Sequence, residues 1–492
     1  MSEHTPDRML RAGETCWTIA RAGRVAVIID AADYFAMVRE AIQKARHSVL
    51  LIGWDFDTRI ALDRPDDDAR VPNRLGKLLD WAIKEQPGLQ IHVLRWNLGA
   101  INELGRGTTP LAILDWMTDD RIHFKLDAAH PAGSAHHQKI VVIDDALAFC
   151  GGIDMTGDRW DTREHLDEHP LRVRPTTKRH YPPWHDVSTA VDGRAAQALG
   201  ELARERWRCA TGETLTPPTP TEVWPEELTP LFRDVDVAIA RTAPEYDGRA
   251  GVQEIEALYL EAIRSVRQTL YIESQYFASL PLADAMAKRL SEPDGPEIVL
   301  VNPDKAQGWL EEEVMGSSRA MLLDRIATAD RHGRFRLYTP VTEQRQPIYV
   351  HAKVMVVDDR LLKVGSSNLN NRSMGFDTEC DLAMEASPDP AEDHAVRRSI
   401  LSLRNDLVAE HLGVTQDVLE ASLERWNGSL VRAIEELRTT GRSLVPFEAP
   451  DISDAERAVF EENALLDPER PTSRWRSARR TLSNINPFGR GQ

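Results

Sequence analysis

The chain has 492 residues, 42% of them apolar, and a formal net charge of -18. That length exceeds one ordinary hydrophobic core and implies two or more domains. The acidity argues against a nucleic-acid binder and against long-range attraction to anionic surfaces, although a local basic cleft is compatible with it.

The first residues, MSEHTPDRML, hold no apolar run that could act as a secretory signal, and no stretch reaches the length of an apolar membrane span. The expectation is a cytoplasmic protein, with peripheral membrane contact or non-classical export left open. Cys16, Cys150, Cys209 and Cys380 are far apart and form no C-x-x-C pair, so they read as free, mostly buried thiols of a reducing compartment.

Taken in chain order, the elements occur twice. Residues 33–56 (DYFAMVREAIQKARHSVLLIGWDF) place Phe35, Val38, Ala41, Ile42 and Ala45 at helical spacing and then turn strand-like. Strand candidates follow at 89–96 (LQIHVLRW) and 121–127 (RIHFKLD), and then comes the segment 136–152 (HHQKIVVIDDALAFCGG). Residues 154–183, rich in Asp, Arg, His and Pro, read as a long functional loop. The stretch 211–230, rich in Pro and Thr, reads as a linker. The pattern then restarts. Residues 254–277 (EIEALYLEAIRSVRQTLYIESQYF) repeat the helix and strand, with Ala257, Leu258, Ala262, Ile263 and Val266 on the apolar face. PEIVLVNP at 296–303, RFRLYTP at 334–340 and VHAKVMVVDDRLLKVGS at 350–366 complete the second copy. Two similar α/β domains are expected, at 1–210 and 231–412. Residues 413–492 read as a helical extension that ends in a basic, solvated tail (SRWRSARRTLSNINPFGRGQ).

Both copies carry the same chemical signature: His137-x-Lys139-x4-Asp144 and His351-x-Lys353-x4-Asp358, offset by 214 residues (351 − 137). Lysine is scarce, ten against fifty arginines, and one such match by chance is expected on the order of a few hundredths of a time. On a strand, residues two apart share a face, so each His lies beside its Lys. The runs that follow, IVVI and VMVV, suit a strand buried on both sides. If the halves pack face to face, two imidazoles and two ammonium groups converge. One imidazole can then attack phosphorus, the other can protonate the leaving alcohol, and the lysines can hold the non-bridging oxygens. This set supplies nucleophile, acid and charge without a metal or other cofactor. Asp144 and Asp358 end their strands and suit turn or backbone-anchoring roles at least as well as catalysis. Twelve residues beyond each Lys lies a Gly turn, Gly151-Gly152-x-Asp154 and Gly365-Ser366-x-Asn368. Ser366 and Asn368 there can donate to a phosphate, whereas Asp154 would repel one and is left to bond the loop or an amine head group.

With these paired motifs, and with GGIDMTGDRWD, PWHDV, VDGRAAQALGELARERW, LYIESQYF and VGSSNLNNRSMGFDTEC, the chain resembles the two-motif phospholipase D superfamily from about residue 24 to 412. The resemblance implies an α/β fold of two similar halves related by a pseudo-twofold, with mixed sheets flanked by helices. It implies a covalent phosphohistidine on His137, with His351 as general acid and then base. It also implies a carboxylate that orients each His from the opposite half, at Glu379 for His137 and at Asp186 for His351. The expected activity is hydrolysis of a phospholipid to phosphatidic acid and a free alcohol, with transfer to another alcohol through the same intermediate. The expected partner is a phospholipid at a membrane or micelle surface, without nucleic acid, and a monomer suffices for the site. Trp54, Phe56, Trp160, Trp184, Tyr276 and Phe277 could line an apolar entrance, although core packing is the better reading for any one of them. The alternatives on this fold are a nuclease or other phosphodiesterase, a cardiolipin-synthase-like phosphatidyltransferase and a non-catalytic relative. Lysine runs are missing for the nuclease, membrane segments for the usual synthase, and no motif His or Lys is lost.

Overall fold

The α1 helix (Ala31–Lys44) forms because Tyr34, Phe35, Val38, Ala41 and Ile42 recur every three or four residues and bury one face. The chain then turns extended at Ala45 and enters β2 (Ser48–Gly53), which is buried over most of its length. This is the start of a computed structural model that describes residues 8–63, 70–97, 119–305 and 309–448. The basic tail expected at 473–492 lies outside the described residues.

Before α1 comes β1 (Thr18–Ile29). After β2 the first half continues with α2 (Leu75–Glu85), β3 (Gln90–Trp96), β4 (Ile122–Asp127), β5 (Ile140–Ile143), β6 (Leu147–Gly151), β7 (Trp184–His185), β8 (Val187–Asp192) and α3 (Gly193–Thr211). The second half repeats the plan with β9 (Phe232–Ala243), β10 (Val252–Gln253), α4 (Glu254–Ser265), β11 (Thr269–Glu273), α5 (Leu280–Leu290), β12 (Glu297–Val301), α6 (Trp309–Ala329) and β13 (Phe335–Val341). It closes with β14 (Tyr349–Val350), β15 (Val354–Val357), β16 (Leu361–Gly365), a π-helical turn (Arg372–Phe376), β17 (Glu379–Glu385) and α7 (His394–Leu412). Past residue 413 come α8 (Gln416–Arg425), α9 (Leu430–Leu437) and β18 (Ser443–Pro446).

All the strands but β7 and β14, which pair with each other, join into one mixed sheet. Its order is β18-β13-β12-β11-β15-β16-β17-β9-β1-β8-β6-β5-β2-β3-β4, with β10 on β9. From β13 to β9 and from β4 to β1 the two halves read as the same series, so a pseudo-twofold passes between β9 and β1. Those two long strands pair antiparallel from Thr18↔Ile239 to Val25↔Phe232. The sheet also folds back on itself, bringing β16 and β17 against β6 and β8. A shared core fills that fold. It takes Val142, Ala148 and Val187 from one half and Val354, Leu362 and Leu382 from the other, with α3 and α7 to α9 against them. Separate cores under α1 and α2, and under α4, α5 and α6, close the outer faces. The layers run helix, sheet, helix, sheet, helix.

The bridge between the halves is not a loose tether. Val223, Trp224 and Leu228 are buried in the core of the first half, and Leu215 packs on the shared core. No described helix is long and apolar enough to cross a membrane. Cys16, Cys150 and Cys380 are buried free thiols, and Cys209 is half-buried.

Candidate active site

The two motifs enter the site by crossed backbone pairing. Instead of lying within strands, His137 and Lys139 precede β5, and His351 and Lys353 precede β15. Each segment stays extended because it bonds to the opposite half. The His137 amide donates to the Thr378 carbonyl at 3.0 Å, and the His351 amide donates to the His185 carbonyl at 2.8 Å. In the second case β14 pairs parallel with β7, Val350 opposite His185. In the first, His136 bridges Thr378, also parallel. Thr378 and His185 each precede a carboxylate, so the same pairing delivers Glu379 to His137 and Asp186 to His351.

The side chains then meet. His137 Nδ1 lies 2.9 and 3.0 Å from the two Glu379 oxygens. His351 Nδ1 lies 2.7 Å from Asp186 Oδ2. Lys139 and Lys353 are buried, and each donates from Nζ to the carbonyl of the histidine in its own motif. The four groups sense one another. Burial first, then Lys139 and Lys353, holds the His137 imidazole well below its ordinary range. Burial, Lys353, Arg159 and Lys139 do the same to His351. Burial also pulls Lys353 down to about 7, against the attraction of Asp186. The Asp186 carboxyl is raised by burial to about 6, with Lys353 and the Val187 amide opposing the rise.

Glu379 is buried as well, which pushes its carboxyl up, while the Ser366 and Ser373 hydroxyls pull it back. Both hydroxyls donate to it, Ser373 at 2.7 Å. With His137 Nδ1 as a third neighbour, Glu379 is surrounded by donors, and its oxygens act as acceptors. The proton of the neutral imidazole therefore sits on Nδ1, and Nε2 keeps its lone pair.

Asp144 and Asp358 stand away from this chemistry. Asp144 accepts the amides of Arg46, His47 and Ser48, and Asp358 accepts those of Arg267, Gln268 and Thr269. Each tethers its motif strand to the start of β2 or β11. Ser366 spends its hydroxyl on Glu379. Asn368 is buried with its side-chain oxygen unbonded. Phe56 and Phe277 lie in the outer cores, and Trp54 stacks on Trp96.

Among the neighbours, Asp154, Trp184 and Gly152 stood out in the sequence, whereas Gln275 and Arg159 carried no separate signal. Asp154, at the position matching Asn368, bonds the Trp54 amide and pairs with Lys139 at 3.1 Å, so it faces a cation instead of a phosphate. Gln275 accepts from Lys353 at 3.4 Å. Trp184 packs 5.2 Å from the His351 ring, and Arg159 lies 4.2 Å above Trp184. Gly152 leaves no room for a side chain, because an added Cβ would stand 2.1 Å from Asp186 Oδ1 and 3.2 Å from the His351 carbonyl oxygen of the other half.

A family model described as Phospholipase D matches residues 41–224 and 326–435. Among curated proteins, Phospholipase D A of Dictyostelium discoideum is 26% identical over 473 residues, 80% of this chain and 36% of that protein. Phospholipase D delta of Arabidopsis thaliana is 25% identical over 547 residues, 77% of this chain and 62% of that protein. The chain thus spans between about a third and two thirds of the curated relatives it matches. Among solved structures, phosphatidylserine synthase of Haemophilus influenzae Rd KW20 covers 85% of this chain and 97% of its own, at 14% identity and a TM-score of 0.52. At that identity the likeness concerns the fold alone.

Proposed function

This chain belongs to the phospholipase D family, and from that premise we propose that it is a phosphodiesterase that cleaves the distal phosphodiester bond of a glycerophospholipid to phosphatidic acid and a free alcohol. The observation that carries the reading is the crossed arrangement of two His–carboxylate pairs, His137 with Glu379 and His351 with Asp186, around two buried lysines. His137 Nε2 attacks phosphorus as the bond to the head-group oxygen breaks. That oxygen takes a proton from His351. A water then gives its proton to His351, its oxygen bonds phosphorus, and the P–N bond to His137 breaks. Lys139 and Lys353 hold the non-bridging oxygens, where negative charge builds. Burial first, and then crowding by the cations Lys353, Arg159 and Lys139, depresses His351. A phosphodiester anion between the lysines relieves that crowding, and Asp186 stabilises the imidazolium.

The test is a lipid panel with mass-spectrometric product detection, run beside a plasmid-nicking assay. The expected products are phosphatidic acid and the head-group alcohol, with phosphatidyl-alcohol formed when a short primary alcohol is added. Nicking of plasmid with no turnover of any phospholipid would overturn the lipid assignment.

A further inference from the structure

Behind the Asp186–His351 pair, at the seam of the two halves, four buried side chains converge. They are Asp30 after β1, His165 in the 154–183 loop, His185 of β7 and Glu410 of α7. The geometry points to a closed, structural divalent-cation site, best suited to zinc, with Asp30, His165 Nε2, His185 Nδ1 and Glu410 Oε1 as its ligands. One potential ligand atom from each residue lies within 4.8 Å of all the others.

Four nitrogen–oxygen separations in the cluster suit a tetrahedron, with Asp30 presenting one oxygen to each histidine. A tetrahedral zinc with bonds near 2.0–2.1 Å separates its ligand atoms by about 3.3 Å. His185 Nδ1 lies 3.2 Å from Asp30 Oδ1 and 3.2 Å from Glu410 Oε1. His165 Nε2 lies 3.4 Å from Asp30 Oδ2 and 3.2 Å from Glu410 Oε1. A nitrogen placed between two carboxylate oxygens would ordinarily hydrogen-bond one of them. His185 Nδ1 bonds neither, and Asp30 Oδ2 is likewise buried without a hydrogen-bond partner. Both atoms face the centre of the cluster.

The surrounding groups prepare the ligands. The distal nitrogen of each histidine is held by a carboxylate, His165 Nδ1 by Asp161 at 3.0 Å and His185 Nε2 by Glu273 at 2.9 Å. That arrangement places the ring proton outward and turns the other nitrogen inward, as outer carboxylates do around metal-bound histidines; without an ion, His165 Nε2 hydrogen-bonds Glu410 Oε1 at 3.2 Å. Asp161 is fixed in turn by Arg172, Glu273 by Tyr271 and His411, and Glu410 by Arg163. Asp30 and His165 also hold positive φ angles, 67° and 42°, a strained backbone for residues with side chains. Two carboxylate ligands neutralise a divalent ion, and four protein ligands leave no open position for substrate. The ion would pin α7 to the first half and brace Asp30, whose Oδ1 accepts the Asp186 amide at 3.1 Å. The alternative is a cluster balanced by protons on both imidazoles.

The test needs no lipid. The full chain, purified without chelators and desalted, should contain about one zinc per chain by elemental mass spectrometry. His165→Gln should lose it, and His165→Cys, which restores a zinc ligand, should keep it. Cobalt(II) loaded in its place should give the strong visible absorption of a tetrahedral centre. Less than about 0.1 zinc per chain, even after incubation with added zinc, would overturn the proposal whatever the folding of the variants. So would an undiminished zinc content in folded His165→Gln, or a pale octahedral cobalt spectrum.

Discussion

Lys353 should destabilise the fold it serves, and Lys353→Met should expose that cost. The ammonium is wholly buried, and the fall of its pKa from 10.5 to about 7 corresponds to about 5 kcal/mol spent on keeping it charged. Methionine fills a similar space without a charge. It forfeits the hydrogen bonds to the His351 carbonyl and Gln275, about 1 kcal/mol each. The expected net gain is about 3 kcal/mol at about pH 6. The sign reverses the usual Lys case. Because the folded pKa is depressed, the unfolded chain binds the extra proton, so the penalty is full below about pH 7 and shrinks towards 10.5. At about pH 9.5 only about 1 kcal/mol of it remains and the variant should have no advantage. Urea unfolding of both proteins at the two pH values, followed by tryptophan fluorescence, measures the difference. The chemical rate should fall by about two to three orders of magnitude in the same variant. An equal stability difference at both pH values, or a less stable variant at pH 6, would refute the reasoning.

Three further outcomes are expected. With a substrate that has a good leaving group, His351→Ala should still form a phosphohistidine and His137→Ala should not; acid quench and peptide mapping read the adduct, and label on His351 in the unmodified protein would reverse the two roles. The free-enzyme profile of kcat/KM should decline as pH rises through about 7, where Lys353 loses its proton, and Lys353→Arg should carry activity further into alkali. Asp144→Ala removes the acceptor for three backbone amides and should lower stability by about 1–3 kcal/mol; calorimetry beside turnover checks this, and a kcat lowered in proportion would show that Asp144 serves the chemistry.

The repeat, the paired motifs and the α/β alternation were legible because each is a local pattern of spacing. The apolar stripes of α1 and α4, and the all-apolar IVVI and VMVV, were read in place. What joins the halves was not legible. β1 and β9 carry charges such as Arg21 and Asp236, which read as surface and find each other only across the pairing. The motif histidines looked like strand residues, yet their backbone partners, Thr378 and His185, come from the other half. The serine braces on Glu379 escaped for the same reason, since Ser373 belongs to a π-helical turn with no periodic signature. Asp30, His165, His185 and Glu410 span most of the chain, and no spacing rule links them.

The two halves are copies, yet the roles proposed for their histidines differ, and the departures from symmetry favour that proposal. Glu379 is the longer carboxylate and is held by Ser366 and Ser373, whereas Asp186 sits against Gly152, where no side chain fits. The His351 ring is 6% exposed and flanked by Trp184, itself under Arg159; the His137 ring is 16% exposed. A nucleophile must carry a bulky phosphatidyl group while water approaches from the far side, and so needs the open position. A group that only passes a proton between leaving alcohol and water gains from a fixed, enclosed ring. Lys139 is also tied to Asp154, while Lys353 meets the neutral Gln275, so the more available positive charge lies on the His351 side. There it can hold the phosphate against the acid at the start of the reaction and leave the Nε2 lone pair of His137 free to attack.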